Sequence, residues 1–107
     1  MREFSNTQRT FSRLISYRLL AYEDLDEKER LILDGAIRAR PNAQAPYSNY
    51  KVGAAVLSES GSIYIGCNVE WADYDDLHAE VNAIGSMITW EGSVKIKKLA
   101  FVGAKAE

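Results

Sequence analysis

The residues of this chain best suited to chemistry are His78 and Glu80, which are separated by Ala79. His78 is the only histidine among the 107 residues, and an imidazole is a common ligand for metal ions. A carboxylate two positions further on can accept and release a proton next to such a metal. A surface histidine beside a glutamate in the first turn of a helix has the same pattern, and the tripeptide alone favours that simpler interpretation.

A helix is predicted directly after this pair. The apolar residues that recur with helical spacing are Val81, Ile84 and Ile88. Asp75 and Asp76 precede them, at the position where the positive end of a helix favours negative charge. We therefore expect His78 and Glu80 in the first turn, where the backbone N–H groups have no partner within the helix.

Length, composition and charge describe one small soluble domain. Hydrophobic residues make up 47% of the chain and charged residues 26%, and the net charge is −2, which predicts no broad surface for nucleic acid. Cys67 is the only cysteine, so an internal disulfide is excluded, and we expect the reducing environment of the cytoplasm. No apolar run approaches the length of a membrane span, so no membrane partner is expected.

Residues 1–22 differ in composition from residues 23–107, which we interpret as the domain itself. The arginines of the first segment are Arg2, Arg9, Arg13 and Arg18, and its apolar residues on one helical face are Phe11, Leu14, Ile15 and Leu19. We predict an N-terminal helix or arm that packs on the domain or on a partner, because amphipathic helices usually bury their apolar face. An organelle transit peptide, which is also rich in arginine and serine, is the alternative.

Two local signals predict a helix early in the domain. Asp26 followed by Glu29 has the spacing of a capping box, in which each side chain binds the backbone N–H of the other residue. Pro41 disfavours helical backbone at the residue before it, so we expect the helix to end near Arg40. Residues 41–49 are rich in Pro, Asn, Ser and Ala, which predicts a loop.

Three strands are expected in the rest of the chain. Residues 52–57 and 63–69 are apolar runs joined by a short turn that contains glycine, which predicts a β-hairpin. The small residues at 53–55 indicate that another element packs closely on the first strand. Residues 94–102 predict the third strand, and the continuous apolar run 99–102 is typical of burial on both faces. A strand, a helix and a strand in succession normally give parallel pairing with a right-handed connection.

Three motifs, in order along the chain, resemble those of the cytidine deaminase family. Residues 45–55, APYSNYKVGAA, resemble the family's signature loop and first strand. Residues 66–70, GCNVE, resemble its G-C-N-x-E strand end. Residues 78–80 resemble its zinc-ligand and proton-carrier motif, in the version that has histidine in place of cysteine. Together the motifs are far more specific than H-A-E alone.

The resemblance implies an α/β fold of three layers, α/β/α, and a zinc-dependent enzyme that converts cytidine or deoxycytidine to uridine or deoxyuridine in pyrimidine salvage. It also implies a Zn²⁺ in each subunit and a homo-oligomer, either a dimer or a tetramer. By position, His78 corresponds to a zinc ligand and Glu80 to the catalytic carboxylate that moves protons. The positions that correspond to nucleoside-binding residues are Tyr50, Asn68, Glu70 and Ala79.

Two features depart from the family pattern. The family takes its other zinc ligands from a later P-C-x-x-C motif, which these 107 residues do not contain. Because a catalytic zinc site normally needs three protein ligands, we expect either a fragment of a longer chain or a truncated, inactive relative. The linker at residues 71–77 is slightly shorter and more acidic than the common version, with Trp71 in place of an asparagine.

The function inferred from the resemblance therefore has two alternatives. One is a catalytically inactive or truncated homologue that binds nucleoside or pairs with another subunit. The other is a deaminase of a modified nucleoside or of a nucleotide, because the altered linker borders the base pocket. The aspartates of the linker argue against a phosphate group there, through repulsion between like charges.

Overall fold

The computed structural model describes residues 18–72, 76–92 and 95–106 of the chain. Its helices and strands are α1 (Glu27–Ala39), β1 (Tyr50–Ser58), β2 (Ile63–Cys67), α2 (Ala79–Glu91) and β3 (Ile96–Lys105), with short 3₁₀ turns at Tyr22–Asp24 and Arg40–Asn42. Most of the predicted N-terminal helix or arm, residues 1–22, lies outside the described residues and stays a prediction. Neither of the two described helices combines the length and the apolar character that a membrane crossing requires.

The first helix begins where the local sequence signals predict. The backbone N–H of Glu29 donates to Oδ1 of Asp26 at 2.7 Å, and the backbone N–H of Asp26 donates to Oε1 of Glu29 at 3.0 Å. This reciprocal capping box satisfies N–H groups that the helix itself leaves without acceptors. The helix ends at Ala39, and Pro41 lies in the 3₁₀ turn that follows, which confirms the predicted helix and its boundary.

The sheet has the strand order β2-β1-β3, and both neighbours of β1 run antiparallel to it. The predicted hairpin of β1 and β2 is therefore confirmed. The predicted direct parallel pairing across α2 is wrong, because β2 and β3 run in the same direction but β1 lies between them and hydrogen-bonds to both. The physical reason is burial: β1 is buried from Gly53 to Ser58, and an apolar strand gains most from neighbours on both edges.

One helix packs on each face of β1. The buried residues on the α2 side are Ala54, Val56, Ala79, Ala83 and Met87. The buried residues on the α1 side are Ile32, Ala36, Ala55 and Leu57. Alternate residues of β1 thus point to opposite helices, as the pleat of a strand requires. The predicted three-layer α/β/α architecture is confirmed.

Glycines let both helices approach the sheet closely. A Cβ atom added to Gly53 would lie 2.0 Å from the backbone oxygen of Ala36 in α1. A Cβ atom added to Gly66 would lie 2.5 Å from the backbone nitrogen of Ala83 in α2. Only glycine fits where two backbones come so near to each other. This confirms the prediction that another element packs closely on the first strand.

The buried face of α2 differs from the predicted one. Its buried residues are Ala79, Ala83 and Met87. Val81 and Ile88 are exposed, so the predicted stripe through Val81, Ile84 and Ile88 is wrong. Because the helix backbone rests directly on β2 at Gly66, the positions that face the sheet there have room only for small side chains. The side chains of Val81 and Ile88 therefore point away from the contact, while Ile84 is partly buried against the core on this side.

One face of β3 is covered and the other is exposed. Ala100 and Val102 pack against the buried residues on the α1 side. Leu99 and Phe101, on the opposite face, are 47% and 60% exposed. The prediction that residues 99–102 are buried on both faces is therefore wrong within the described part of the chain. The reason is that α2 lies over β1 and β2 and barely reaches β3.

Candidate active site

All the site residues proposed from the sequence line one cavity of about 270 Å³. They are Tyr50, Asn68, Glu70, His78, Ala79 and Glu80. The other lining residues are Ser48, Val52, Asp76 and Leu77. These residues come from the loop and start of β1, the segment after β2 and the N-terminus of α2. The fold thus brings together residues from separate parts of the sequence.

Short backbone bridges position the start of α2. Val69 and Leu77 form an antiparallel bridge, in which the N–H of each donates to the carbonyl oxygen of the other at 2.9 and 2.8 Å. On the other side of the same segment, the N–H of Gln44 donates to the carbonyl of Asn68 at 3.0 Å, and the N–H of Glu70 donates to the carbonyl of Gln44 at 2.8 Å. The segment after β2 therefore continues the pairing of the sheet and holds the α2 N-terminus beside it.

His78 is the N-cap residue of α2 and Glu80 lies in the first turn, close to the predicted placement. The side chain of His78 makes no capping hydrogen bond, while its carbonyl accepts the N–H of Asn82 at 2.9 Å. His78 is exposed and Glu80 is partly buried. Neither side chain has a hydrogen-bond partner among the described residues, so both can serve a ligand.

The side-chain amide of Asn68 forms hydrogen bonds with the backbone at the start of β1, as a neighbouring strand would. Its Oδ1 accepts from the backbone N–H of Val52 at 2.8 Å, and its Nδ2 donates to the carbonyl of Tyr50 at 2.9 Å. An amide retains a second lone pair on its oxygen and a second N–H. Asn68 therefore supports the cavity wall and still has bonding capacity for a ligand.

The carboxylate of Glu70 holds the loop that precedes β1. Its Oε1 accepts from the backbone N–H groups of Tyr47 and Ser48 at 2.9 and 3.1 Å, and its Oε2 accepts from the hydroxyl of Ser48 at 2.5 Å. The Ser48 hydroxyl and these N–H groups lower the pKa of the Glu70 carboxyl, because each bond favours the ionised form. Sequence reasoning missed Ser48 as a site residue, and the available signal was its place in the loop motif at residues 45–55.

A second cavity, of about 350 Å³, shares four lining residues with the first: Tyr50, Val52, His78 and Glu80. Its far wall is β3 at residues 101–103. The ring of Tyr50 lies against Gly103, where an added Cβ would come within 2.8 Å of the ring. His78 and Glu80 thus lie where the two cavities meet, open towards the exposed face of β3.

His78 is one member of a possible metal site. Among the described residues, no group of three or more His, Cys, Asp or Glu side chains is placed to hold a metal ion. Catalytic zinc normally has three protein ligands and an open position, so His78 fits such a site only with two further ligands. Cys67 lines neither cavity, and burial raises the pKa of its thiol, which disfavours the thiolate that binds metals.

Comparison with known protein sequences gives consistent matches. The family described as "Cytidine and deoxycytidylate deaminase zinc-binding region" matches residues 26–103. The cytidine deaminase of Sporosarcina psychrophila is 41% identical over 75 residues, which cover 69% of this chain and 54% of that protein. The probable cytidine deaminase of Dictyostelium discoideum is 41% identical over 49 residues, which cover 46% of this chain and 33% of that protein.

Solved structures show the same likeness in three dimensions. The cytidine deaminase of Mycobacterium tuberculosis superposes with a TM-score of 0.68 at 33% identity, over 73% of this chain and 63% of that chain. The cytidine deaminase of Burkholderia pseudomallei superposes with a TM-score of 0.66 at 38% identity, over 70% of this chain and 61% of that chain. The present chain spans about half the length of the Sporosarcina relative.

Proposed function

This chain belongs to the cytidine and deoxycytidylate deaminase family, and on that basis we propose that the complete protein hydrolytically deaminates cytidine or deoxycytidine with the help of a zinc ion. The observation that carries the proposal is the convergence of His78, Glu80, Asn68 and Glu70 on one cavity. This hydrolysis needs a metal ligand, a proton carrier and groups that bind sugar hydroxyls in one place.

In this proposal His78 supplies one zinc ligand, and two ligands come from outside the described residues. Zinc at such a site supplies a Lewis acid that lowers the pKa of water. The carboxylate of Glu80 would take one proton from the attacking water and pass it to N3 of the ring as the bond from oxygen to C4 forms. It would then carry the second proton of that water to the amine as the bond from C4 to nitrogen breaks, so that water is consumed and ammonia is released. The position of Glu80 in the first turn of α2, two residues after His78, supports this role.

We propose further that Asn68 and Glu70 bind the sugar hydroxyls and that Tyr50 borders the sugar and the base. The second N–H of Asn68 and the remaining lone pairs of Glu70 are suited to hydroxyl groups. Ala79 is buried and is the first residue of α2, so its backbone N–H has no acceptor within the helix. We assign that N–H to the base. The shared cavity supports these assignments.

We also propose that the protein is a cytoplasmic homo-oligomer, a dimer or a tetramer, that acts on free nucleosides in pyrimidine salvage. Family membership supports this proposal, and the net charge of −2 argues against nucleic acid as a substrate. The alternative of a modified nucleoside or a nucleotide depends on the linker at 71–77. Of its three aspartates, Asp76 lines the cavity, whereas Asp73 and Asp75 lie outside the described residues, so the substrate class stays a prediction.

A catalytically inactive homologue that binds nucleoside or pairs with an active subunit is the second candidate. The observation that favours it is the single imidazole at the cavity, since the described residues contain no complete metal site. An active deaminase and an inactive binder differ in whether two further ligands complete the site. Metal content and turnover therefore have to be measured on the same preparation.

The test is a turnover assay on the complete protein, followed by the ultraviolet absorbance of cytidine and by the release of ammonia. We expect cytidine to react much faster than free cytosine. Cytosine has no sugar hydroxyls, so it cannot bond to the second N–H of Asn68 or to the remaining lone pairs of Glu70, and each lost hydrogen bond is worth about 1 kcal/mol. Complete protein that retains no zinc and binds cytidine without converting it would establish the inactive homologue. Zinc-loaded protein that neither binds nor converts cytidine or deoxycytidine contradicts both candidates.

A further inference from the structure

Glu91, the last residue of α2, accepts hydrogen bonds from three hydroxyl groups of the β1–β2 hairpin. The hydroxyl of Ser58 donates to Oε1 at 2.6 Å, and those of Ser60 and Tyr64 donate to Oε2 at 2.7 and 2.8 Å. Ser58 ends β1 and is fully buried, Ser60 lies in the turn, and Tyr64 lies on β2. One carboxylate therefore ties the end of the helix to both strands of the hairpin.

The end of a helix is an unfavourable place for a carboxylate that lacks such contacts. Backbone carbonyl groups give the C-terminal end of a helix a partial negative charge, which repels a negative side chain. The hydroxyl donors offset this repulsion, because hydrogen bonds to ionised groups are stronger than those between neutral groups. They also lower the pKa of the Glu91 carboxyl. The ionised carboxylate of Glu91 is therefore stabilised by the hydroxyl groups of the hairpin and not by the end of its own helix.

The apolar contact between α2 and the sheet fixes how far the helix lies from the sheet. It opposes sliding of the helix along the sheet, or rotation on it, less strongly. The backbone of α2 rests on Gly66, and the large side chains that the helix packs on this face are the buried Met87 and the partly buried Ile84. The small residues next to Gly66 offer few ridges that interlock and oppose sliding or rotation. The backbone bridge between Val69 and Leu77 holds the chain directly before the helix. Within α2, the polar contacts that oppose such motion are the amide of Asn82, which donates to the carbonyl at the end of β2 at 3.0 Å, and the hydroxyl cluster around Glu91.

We propose that Glu91 is a positioning residue for the candidate active site, and that it holds α2 in the place that puts His78 and Glu80 at the cavity. The inference rests on the proposed function. Glu91 does not line the cavity and lies roughly 20 Å from His78 along the helix, at 1.5 Å per residue. Because the side chains of His78 and Glu80 have no hydrogen-bond partner among the described residues, their placement follows that of the helix.

The test compares Glu91→Ala, Glu91→Gln and Glu59→Ala in the complete, zinc-loaded protein, well below the unfolding temperature of each variant. Glu59 is an exposed glutamate in the hairpin turn and is the matched control. We expect Glu91→Ala to lower kcat about tenfold and to keep KM within about twofold, because small displacements of reacting groups reduce turnover steeply. Glu91→Gln, which keeps one acceptor oxygen, should fall in between, and all variants should retain zinc. If Glu91→Ala does not fold, the same measurements are made on Ser60→Ala, which removes one of the hydroxyl donors to Glu91.

Backbone hydrogen exchange shows whether Glu91 holds the whole of α2 in place or stabilises only its last turn. This measurement does not depend on turnover. We expect Glu91→Ala to speed exchange in the first turn of α2, where the N–H of Asn82 donates to the carbonyl of His78, as well as in the last turn. Faster exchange confined to the last turn, or an unchanged kcat in folded Glu91→Ala, would overturn the proposal. If the parent protein does not deaminate cytidine, the proposed function fails. The exchange rate in the first turn of α2 is then the only measurement that tests the role of Glu91.

Discussion

At the scale of single residues, His78 and Glu80 have different proposed roles, and substitutions separate them. Glu80→Gln removes the proton carrier but no metal ligand, so we expect zinc and structure to be retained while turnover falls about 10²- to 10⁴-fold. His78→Ala removes a ligand and should lose both zinc and turnover. Steady-state kinetics and elemental analysis of the same preparations measure these effects. Undiminished turnover in Glu80→Gln would exclude Glu80 from the mechanism.

The bond between Ser48 and Glu70 leads to a prediction about pH. The Ser48 hydroxyl holds the pKa of Glu70 below its ordinary value. A carboxyl whose folded pKa is lowered contributes stability above its unfolded pKa, and this contribution is lost as pH falls through the folded pKa. Ser48→Ala should therefore raise the pKa of Glu70 towards its ordinary value. An NMR titration of the Glu70 carboxyl measures the change, with Ser86→Ala on α2 as the control. A titration that Ser48→Ala leaves unmoved contradicts the role of this bond.

Motifs in the sequence predict candidate site residues, which the structure places around one cavity, but they do not predict the hydrogen-bond partners of those residues. Asn68 and Glu70 belong to one short motif, and each binds the chain around the start of β1. Glu70 and Ser48 are 22 positions apart, and no local pattern joins them. Residue types and their spacing can identify a carboxylate as a candidate site residue. Which distant residues donate hydrogen bonds to it depends on the fold.

At the scale of elements, the close contact of α1 with β1 depends on Gly53. Gly53→Ala would place a methyl group 2.0 Å from the backbone oxygen of Ala36, so we expect the free energy of unfolding to fall by about 1–3 kcal/mol or more. Gly85 in α2 is the matched control, because a Cβ there meets no atom within 4 Å. Gly85→Ala should raise the free energy of unfolding by about 0.5–1 kcal/mol, since alanine is the better helix former. Urea unfolding followed by circular dichroism measures both changes. If Gly53→Ala proves as stable as the parent, the helix does not pack as closely as described.

Elements with local determinants are predicted well, and those that depend on neighbours are not. The capping box of Asp26 and Glu29 and the turn of the hairpin join residues close in sequence, so their signals are visible in the chain. The exposure of Phe101 depends on which helix lies over β3, and the buried face of α2 depends on Gly66 in another element. The spacing of apolar residues indicates that a segment has an apolar face. It does not predict how closely the element that packs on that face approaches.

At the scale of the whole molecule, the proposed zinc site has one ligand, His78, among the described residues, whereas catalytic zinc normally has three protein ligands. We therefore expect the 107-residue chain to lose zinc on dialysis. A longer chain that adds a P-C-x-x-C motif should retain it, and His78→Ala in that longer chain should lose it again. Elemental analysis after dialysis measures all three proteins. Stoichiometric zinc in the 107-residue chain, without ligands from another chain, would contradict the proposed ligand set.

The central position of β1 also affects the order in which the sheet forms during synthesis. β2 follows β1 after a short turn, so this pair closes a small loop and forms early. β3 emerges much later, and the bond from Arg40 to the carbonyl of Ala104 joins residues 64 positions apart. One edge of β1 therefore stays unpaired on the ribosome until β3 leaves the exit tunnel. Nascent chains stalled before Ile96 should be cut by protease within β1 much faster than chains stalled well beyond Lys105. Equal resistance would show that folding of the nascent chain does not wait for this strand.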